Sequence, residues 1–164
     1  MSSPAAPQGE AAEVPGLTAL AYDLSLRGLS QQESVVNELR ARTGTLLAAS
    51  SLVASFLGGR GIDEGARWLT AAALIAFAAS VAASVYVLLP KDGLIFSVRG
   101  TVLFEREFAD PGGLAETQRR LAYWLERYAD GNQPTIDRMF WGYRVATVAV
   151  LLQIVLWSTE LAVQ

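Results

Sequence analysis

The chain of 164 residues contains no cysteine and no histidine, and these absences restrict its chemistry. Without cysteine there are no disulfides and no thiolate sites. Without histidine it lacks the commonest general base and the commonest metal ligand. A serine nucleophile would have no imidazole to activate it, so an enzyme is the least favoured class. We predict no catalytic residue, no cofactor and no metal.

Charge is also scarce. Charged residues make up 18% of the chain and hydrophobic residues 52%, whereas a soluble domain carries about 25% charge. The net charge of −3 gives no reason to expect a nucleic-acid partner. Lys91 is the single lysine beside twelve arginines, a bias that is typical of a GC-rich bacterial genome. The composition therefore favours a bacterial membrane protein.

An uncharged run of 22 residues, from Trp68 to Leu89, dominates the sequence. At 1.5 Å per residue, a helix of this length covers about 33 Å, and the hydrocarbon core of a bilayer is about 30 Å thick. Helices of soluble domains are rarely apolar on every face for so long. Residues 68–89 are therefore predicted to span a membrane.

Two further spans are predicted, at residues 43–59 and 140–161. The first is short for a span, but its small residues recur at helical spacing, as they do in 68–89, which favours close helix packing. Gln153 is the most polar group deep in the last span, and we expect it to hydrogen-bond to another helix or, alternatively, to line a pore. The candidate helix-packing residues are Ser51, Ser55, Gly59, Ala72, Ala76, Ser80 and Gln153.

The N-terminal part is predicted to be a tail followed by short helices. Residues 1–16 lack the charged and apolar regions of a signal peptide and have the composition of a disordered tail. A short helix over 17–27 would end at Gly28. The sequence Ser30 to Glu33 matches a capping box, which predicts a new helix beginning there. Residues 17–164 are predicted to form one helical membrane domain.

The segment between the second and third spans, residues 91–139, is predicted to be a small cytoplasmic helical insert. Residues 94–108 fit an irregular or short helical segment better than an isolated hairpin. A helix is expected over about 113–129, with a break at 130–132. Asn132 would then cap the next helix ahead of Pro134.

The first two spans would be joined by a polar turn at about 58–63.

The distribution of basic residues predicts the orientation. If the N-terminus is cytoplasmic, eleven basic residues lie inside and only Arg60 and Arg67 lie outside, as the positive-inside rule requires. The C-terminus is then outside. Seven inside arginines are candidate contacts for lipid headgroups or anions. They are Arg40, Arg42, Arg119, Arg120, Arg127, Arg138 and Arg144.

Aromatic residues near the ends of the spans agree with this orientation. Tyr86, Trp141 and Tyr143 fall at the inner interface, and Trp68 and Trp157 fall at the outer one. Tryptophan and tyrosine are enriched at both membrane–water interfaces. The expected location is the cytoplasmic membrane of a bacterium.

Several segments resemble a group of small bacterial integral membrane proteins that have no characterised function. These segments are RARTGTLL at 40–47, SFLG at 55–58, and Asn132 followed by FWGYR at 140–144. Over about 31–161 the layout is similar to the SLATT and Pycsar-type transmembrane effectors. That resemblance implies a role in nucleotide-signalled antiphage defence, in which activation impairs the membrane. It assigns no ligand residue to this chain.

The fold class predicted is therefore an all-α membrane protein with three transmembrane helices and a small cytoplasmic helical part. The favoured function is a non-enzymatic membrane protein, either a structural or interaction component or a self-associating effector that perturbs the bilayer in response to a signal. The alternative is a structural or accessory subunit of a channel or transporter. The expected partners are the lipid bilayer, further copies of the chain, and a nucleotide-signalling or other membrane component.

Overall fold

Three helices make up most of the described part of the protein. The structure is a computed structural model that describes residues 10–64, 67–97 and 113–163, with the side-chain surroundings of 10–15 and 57–67 left out. Helix α1 runs over Glu10–Glu64, α2 over Arg67–Leu88 and α3 over Leu114–Val163. Helix accounts for 92% of the described residues, and no strand occurs among them. The predicted all-α class is confirmed.

The chain divides into two compact units. Unit 1 combines Met1–Ser34 with Gly93–Gln133, and unit 2 combines Val35–Asp92 with Pro134–Gln164. Helices α1 and α3 contribute residues to both units, whereas α2 belongs to unit 2 alone. Most of the described part of unit 1 comes from the N-terminal halves of the two long helices.

Buried positions recur every seven residues along both long helices. In α1 they are Leu29, Val36, Thr43 and Ser50. In α3 they are Leu125, Asn132, Met139, Ala146, Gln153 and Glu160. A buried stripe of period seven is the pattern of helices that pack side by side with a slight left-handed supercoil. The stripe keeps this spacing whether its residues are apolar or polar.

The predicted interruptions of α1 are wrong. The helix begins at Glu10, so residues 10–16 are helical, and residues 1–9 lie outside the described part. Ala11, Ala12 and Glu13 are good helix formers, which accounts for the early start. Gly28 does not end the helix and Ser30 does not cap a new one. Burial of Leu29 one residue later stabilises the continuous helix by more than the ~1 kcal/mol that a glycine costs.

The polar turn predicted at 58–63 is also wrong, because α1 continues to Glu64. No proline interrupts this stretch, so each backbone N–H can continue the helical hydrogen bonds. Helix α2 begins at Arg67 and ends at Leu88, close to the predicted 68–89. Pro90 follows, and Gly93 adopts a left-handed φ of 97°, which a residue with a Cβ rarely takes.

The break predicted at 130–132 does not occur, since α3 is continuous from Leu114 and has Pro134 inside it. Asn132 is buried and does not cap a helix. Its Nδ2 donates to the Ile95 carbonyl oxygen at 2.9 Å and to Gln32 Oε1 at 3.3 Å, and its Oδ1 accepts from the Ile95 N–H at 3.1 Å. These bonds stabilise the helix at a sequence that would otherwise favour a turn. Residues 94–97 have no regular secondary structure, and the rest of the predicted segment 94–108 lies outside the description.

Among the described residues, two helices are long and apolar enough to cross a membrane. They are α2, over Trp68–Leu88, and α3. Only 28% of the apolar window in α2 and 33% of that in α3 is buried, whereas a core helix of a soluble protein is mostly buried. Within the described part of the chain α1 is not one of the helices that meet this test, and the side-chain surroundings of 57–59 in the first predicted span lie outside the description. Composition therefore identifies two of the three predicted spans.

Candidate functional site: a buried polar stripe

The interior of unit 2 carries an unusual number of polar side chains. Six of them are fully or almost fully buried, and they come from all three helices. They are Thr43, Ser50, Ser80, Ser84, Gln153 and Glu160. Burying a polar group costs free energy unless it finds a hydrogen-bond partner, so each needs an explanation.

Ser50 of α1 and Gln153 of α3 satisfy one another. The Ser50 hydroxyl donates to Gln153 Oε1 at 2.8 Å, and Gln153 Nε2 donates to the Ser50 carbonyl oxygen at 3.2 Å. Both residues are fully buried. The pair fixes the α1 segment beside the middle of the third predicted span.

Thr70 and Glu160 form a second contact, between the start of α2 and the end of α3. The Thr70 hydroxyl donates to Glu160 Oε1 at 2.5 Å. Towards the other end, a Cβ added to Gly142 would lie 3.0 Å from Val87 Cγ2, so the helices approach closely there. The two contacts show that α2 and α3 run antiparallel in unit 2.

Five buried polar atoms have no hydrogen-bond partner among the described residues. They are Arg40 Nε, the hydroxyls of Ser80 and Ser84, Trp157 Nε1 and Glu160 Oε2. Trp157 and Glu160 are three residues apart on α3 and are both about 1% exposed. The Trp157 side chain therefore faces the interior of unit 2, and its depth at the outer interface stays a prediction. Trp68, by contrast, is 70% exposed.

The outer surface of unit 2 is apolar. Phe56 is 74% exposed and Ile75 is 70% exposed, and other large apolar side chains accompany them. These include Leu52, Leu74, Val148, Leu151, Leu152 and Val155. Large apolar side chains exposed in such number are typical of an interaction or membrane surface. Six polar side chains lie among the apolar core of unit 2 while many large apolar side chains are exposed, which is unusual for a soluble bundle.

The candidate headgroup arginines do not gather at one place. Arg119 and Arg120 both bind Glu116, at 2.9 and 3.0 Å. Hydrogen bonds from these two guanidinium groups hold the pKa of Glu116 below its ordinary value of 4.5. Arg42 forms an ion pair with Glu38 on its own helix.

The remaining arginines differ in exposure. Arg127, Arg138 and Arg144 are exposed, and Arg40 is half-buried with its Nε lacking a partner in the described part of the chain. Arg138 lies beside Trp141 at the rim of an apolar groove. Arg144 lines another apolar surface, with Val148.

The candidate packing residues fall into two groups. Ser51 and Ser55 are exposed, and the Ser51 hydroxyl donates to the Leu47 carbonyl of its own helix. Ala72 and Ala76 are half-buried, and Ser80 and Gln153 are buried inside unit 2. The surroundings of Gly59 lie outside the description. The small residues therefore do not all share one surface.

Glu160 is a buried residue that the sequence analysis does not single out, although it lies within the third predicted span. One signal was present: Glu160 follows Gln153 by seven residues and Ala146 by fourteen, so it continues the same stripe. A buried carboxyl near the end of a membrane-type helix is a functional candidate by default.

The buried polar side chains of unit 2 are suited to recognition between helices. Hydroxyl, amide and carboxyl groups pair across helices within unit 2. Among the described residues no group of three acidic side chains could hold a metal ion. Comparison with known protein families, curated proteins and solved structures found no match to the chain.

Proposed function

We propose that the chain is a non-enzymatic integral membrane protein with three spans, at residues 43–59, 68–89 and 140–161. The observation that carries this proposal is the pair of hydrogen bonds between Ser50 and Gln153. Gln153 lies thirteen residues into the third proposed span, near its middle. If α3 crosses the bilayer, Ser50 and the uncharged segment around it lie at the same depth.

The arrangement of polar and apolar surfaces supports the same proposal. Lipid tails favour the exposed apolar side chains of unit 2, and water does not. Polar side chains that would be costly in lipid lie inside, where hydrogen bonds between helices satisfy several of them. The serine-rich segment 43–59 needs such partners, because an uncharged run of 17 residues is short for an isolated span.

The orientation follows from the charges at the ends of the proposed spans. Arg40, Arg42, Lys91, Arg138 and Arg144 flank one end. By the positive-inside rule this end is expected in the cytoplasm, together with the N-terminus. The C-terminus then lies outside the cytoplasmic membrane of a bacterium.

Self-association is the second part of the proposal. Ser51 and Ser55 present small side chains on the exposed side of α1. In lipid, small residues allow two helices to approach closely and gain dispersion energy. Formation of a homo-oligomer through this surface is consistent with an effector that perturbs the bilayer in response to a signal. A nucleotide-signalling partner is one source of such a signal.

A specific observation favours the alternative of a channel or transporter subunit. The hydroxyls of Ser80 and Ser84 are buried in unit 2 without a partner among the described residues. Unpartnered hydroxyls four residues apart on one helix are suited to a polar path through a larger assembly. A transport ATPase encoded beside the gene would favour this alternative, and a neighbouring nucleotide cyclase or nucleotidyltransferase would favour the effector.

Single-molecule photobleaching in native nanodiscs tests self-association. We expect two or more bleaching steps per spot for the unmutated protein, and fewer for Ser55→Leu, because the larger side chain prevents close approach. Ala79→Leu, an equal enlargement at an exposed position of α2, is the matched control and should keep the unmutated count. One step per spot for the unmutated protein at every expression level would contradict self-association.

A further inference from the structure

A groove of about 300 Å³ opens on the surface of unit 2, between the end of α2 and the first part of the third proposed span. Ala83, Tyr86, Arg138, Trp141 and Gly142 line it. Gly142 allows α3 to pack closely against Tyr86, because a Cβ at this position would lie 3.1 Å from Tyr86 Cδ1. The floor is apolar, and one cation stands at the rim.

Two cations flank the aromatic part of the groove. Arg138 is exposed and makes no ion pair within the described part of the chain. Lys91 holds its ammonium group 3.5 Å from the centre of the Tyr86 ring, in a cation–π contact. This contact keeps the Lys91 charge beside the groove.

Trp141 completes the groove, and it is 68% exposed. A large exposed indole beside a basic residue is typical of a membrane interface, where the ring lies among headgroups. Basic pockets between membrane helices on the cytoplasmic side bind anionic headgroups. The apolar floor suits an acyl chain, which a free phosphate ion does not have.

We propose that this groove binds one anionic phospholipid of the cytoplasmic leaflet. Arg138 and Lys91 hold its phosphate, Trp141 and Tyr86 lie at the glycerol level, and an acyl chain runs over Ala83 and Gly142. A zwitterionic lipid carries its own cation next to the phosphate, so it gains less from the two basic residues. The inference rests on the proposed insertion of the helices in the membrane.

Native mass spectrometry of the full chain in detergent micelles tests the site. With phosphatidylglycerol added, we expect one retained lipid per protein, and much less retention of phosphatidylcholine at the same concentration. The double variant Lys91→Gln/Arg138→Gln should bind phosphatidylglycerol about 25-fold more weakly, from the typical contribution of two basic residues near anionic lipid. Arg42→Gln/Arg127→Gln removes two cations elsewhere and should bind as the unmutated protein does.

Three outcomes would overturn the inference: equal retention of the two lipids, unchanged retention in the Lys91→Gln/Arg138→Gln variant, or displacement of the lipid by millimolar inorganic phosphate. Extraction of cell membranes with alkaline carbonate separates this failure from failure of the proposed function. A chain that stays in the membrane but shows no lipid preference contradicts the groove alone. A chain that carbonate releases contradicts membrane insertion itself.

Discussion

Ser50 and Gln153 bind each other through two hydrogen bonds, one from the serine hydroxyl and one from the glutamine amide. They are 103 residues apart in sequence and both fully buried. Because each residue is donor and acceptor, loss of either side chain leaves a buried polar group of the other without a partner. This reciprocity makes the pair the strongest structural link between the marginal segment of α1 and α3.

We expect Ser50→Ala to lower the free energy of unfolding in micelles by about 1 kcal/mol, since it removes the donor to Gln153 Oε1. Gln153→Leu in the Ser50→Ala background should cost less than in the unmutated protein. The coupling energy should fall near the ~0.6 kcal/mol average for hydrogen bonds between membrane helices. Thermal or detergent-induced unfolding followed by circular dichroism measures it.

Ser51→Ala is the matched control, because this hydroxyl is exposed and bonds to its own helix. Its effect should be smaller than that of Ser50→Ala. Strict additivity of the Ser50 and Gln153 substitutions would show that the two side chains do not interact.

The contact between Thr70 and Glu160 gives a second test. Thr70→Val keeps the shape of the side chain and removes the donor, which leaves Glu160 buried without this hydrogen bond. We expect a loss of about 1–3 kcal/mol in unfolding free energy. Thr70→Ser keeps the hydroxyl and should stay close to the unmutated value. An unchanged free energy of unfolding in Thr70→Val would show that this hydrogen bond does not stabilise the fold.

Asn132 should control the protection of the Ile95 amide. In Asn132→Ala the Ile95 N–H loses its acceptor, so its hydrogen exchange should speed up about fivefold, the equivalent of about 1 kcal/mol. Asn132→Asp retains an acceptor at this position but loses the donor to the Ile95 carbonyl. Hydrogen exchange by mass spectrometry or NMR should therefore show a smaller acceleration at the Ile95 N–H in Asn132→Asp than in Asn132→Ala. Both variants should lose stability.

Asn37→Ala, at an exposed position of α1, is the control for Asn132 and should leave Ile95 unchanged. Unchanged exchange in Asn132→Ala would show that the side-chain contact to residue 95 does not persist in solution.

The contacts of Glu116 with two arginines predict that the free energy of unfolding depends slightly on pH. The pKa of Glu116 is lowered in the folded protein by hydrogen bonds from Arg119 and then Arg120. A carboxyl with a lowered pKa contributes stability at pH values above its unfolded pKa, near 4.5, and loses it as the pH falls through the folded pKa. The side chains are largely exposed, so the contribution is modest.

An NMR titration of the Glu116 carboxyl carbon should give a midpoint below 4.5. Arg119→Gln/Arg120→Gln should raise that midpoint, and Arg127→Gln should leave it in place. An unchanged midpoint after removal of both arginines would show that their hydrogen bonds do not lower the pKa of Glu116.

The sequence predicted the helical class and the limits of α2 well, because an uncharged run such as 68–89 leaves few alternatives. It failed where local signals competed with tertiary contacts. Gly28 and Ser30 are good stop and start signals, but burial of Leu29 overrides them. The amide of Asn132 is a good cap in isolation, and only the distant Ile95 backbone explains its place inside α3.

The candidate site was predictable in part. Gln153 was singled out as a polar residue deep in a span, but no local pattern identifies Ser50 as its partner among several serines. The burial of Trp157 and Glu160 follows from the seven-residue stripe of α3, which becomes visible only when polar residues are counted with the apolar ones. A search for apolar faces alone overlooks it.

The central claim is that residues 43–59 of α1 cross the membrane although this uncharged run of 17 residues is short for an isolated span. Because the chain has no cysteine, single cysteines can be introduced at Asn37, Ser55 and Gly61 and probed with a membrane-impermeant maleimide. We predict labelling of Asn37→Cys only when the cytoplasmic face is open, labelling of Gly61→Cys in intact spheroplasts, and no labelling of Ser55→Cys before denaturation. Labelling of Gly61→Cys only from the cytoplasmic face, with Ser55→Cys accessible to water, would contradict the three-span account.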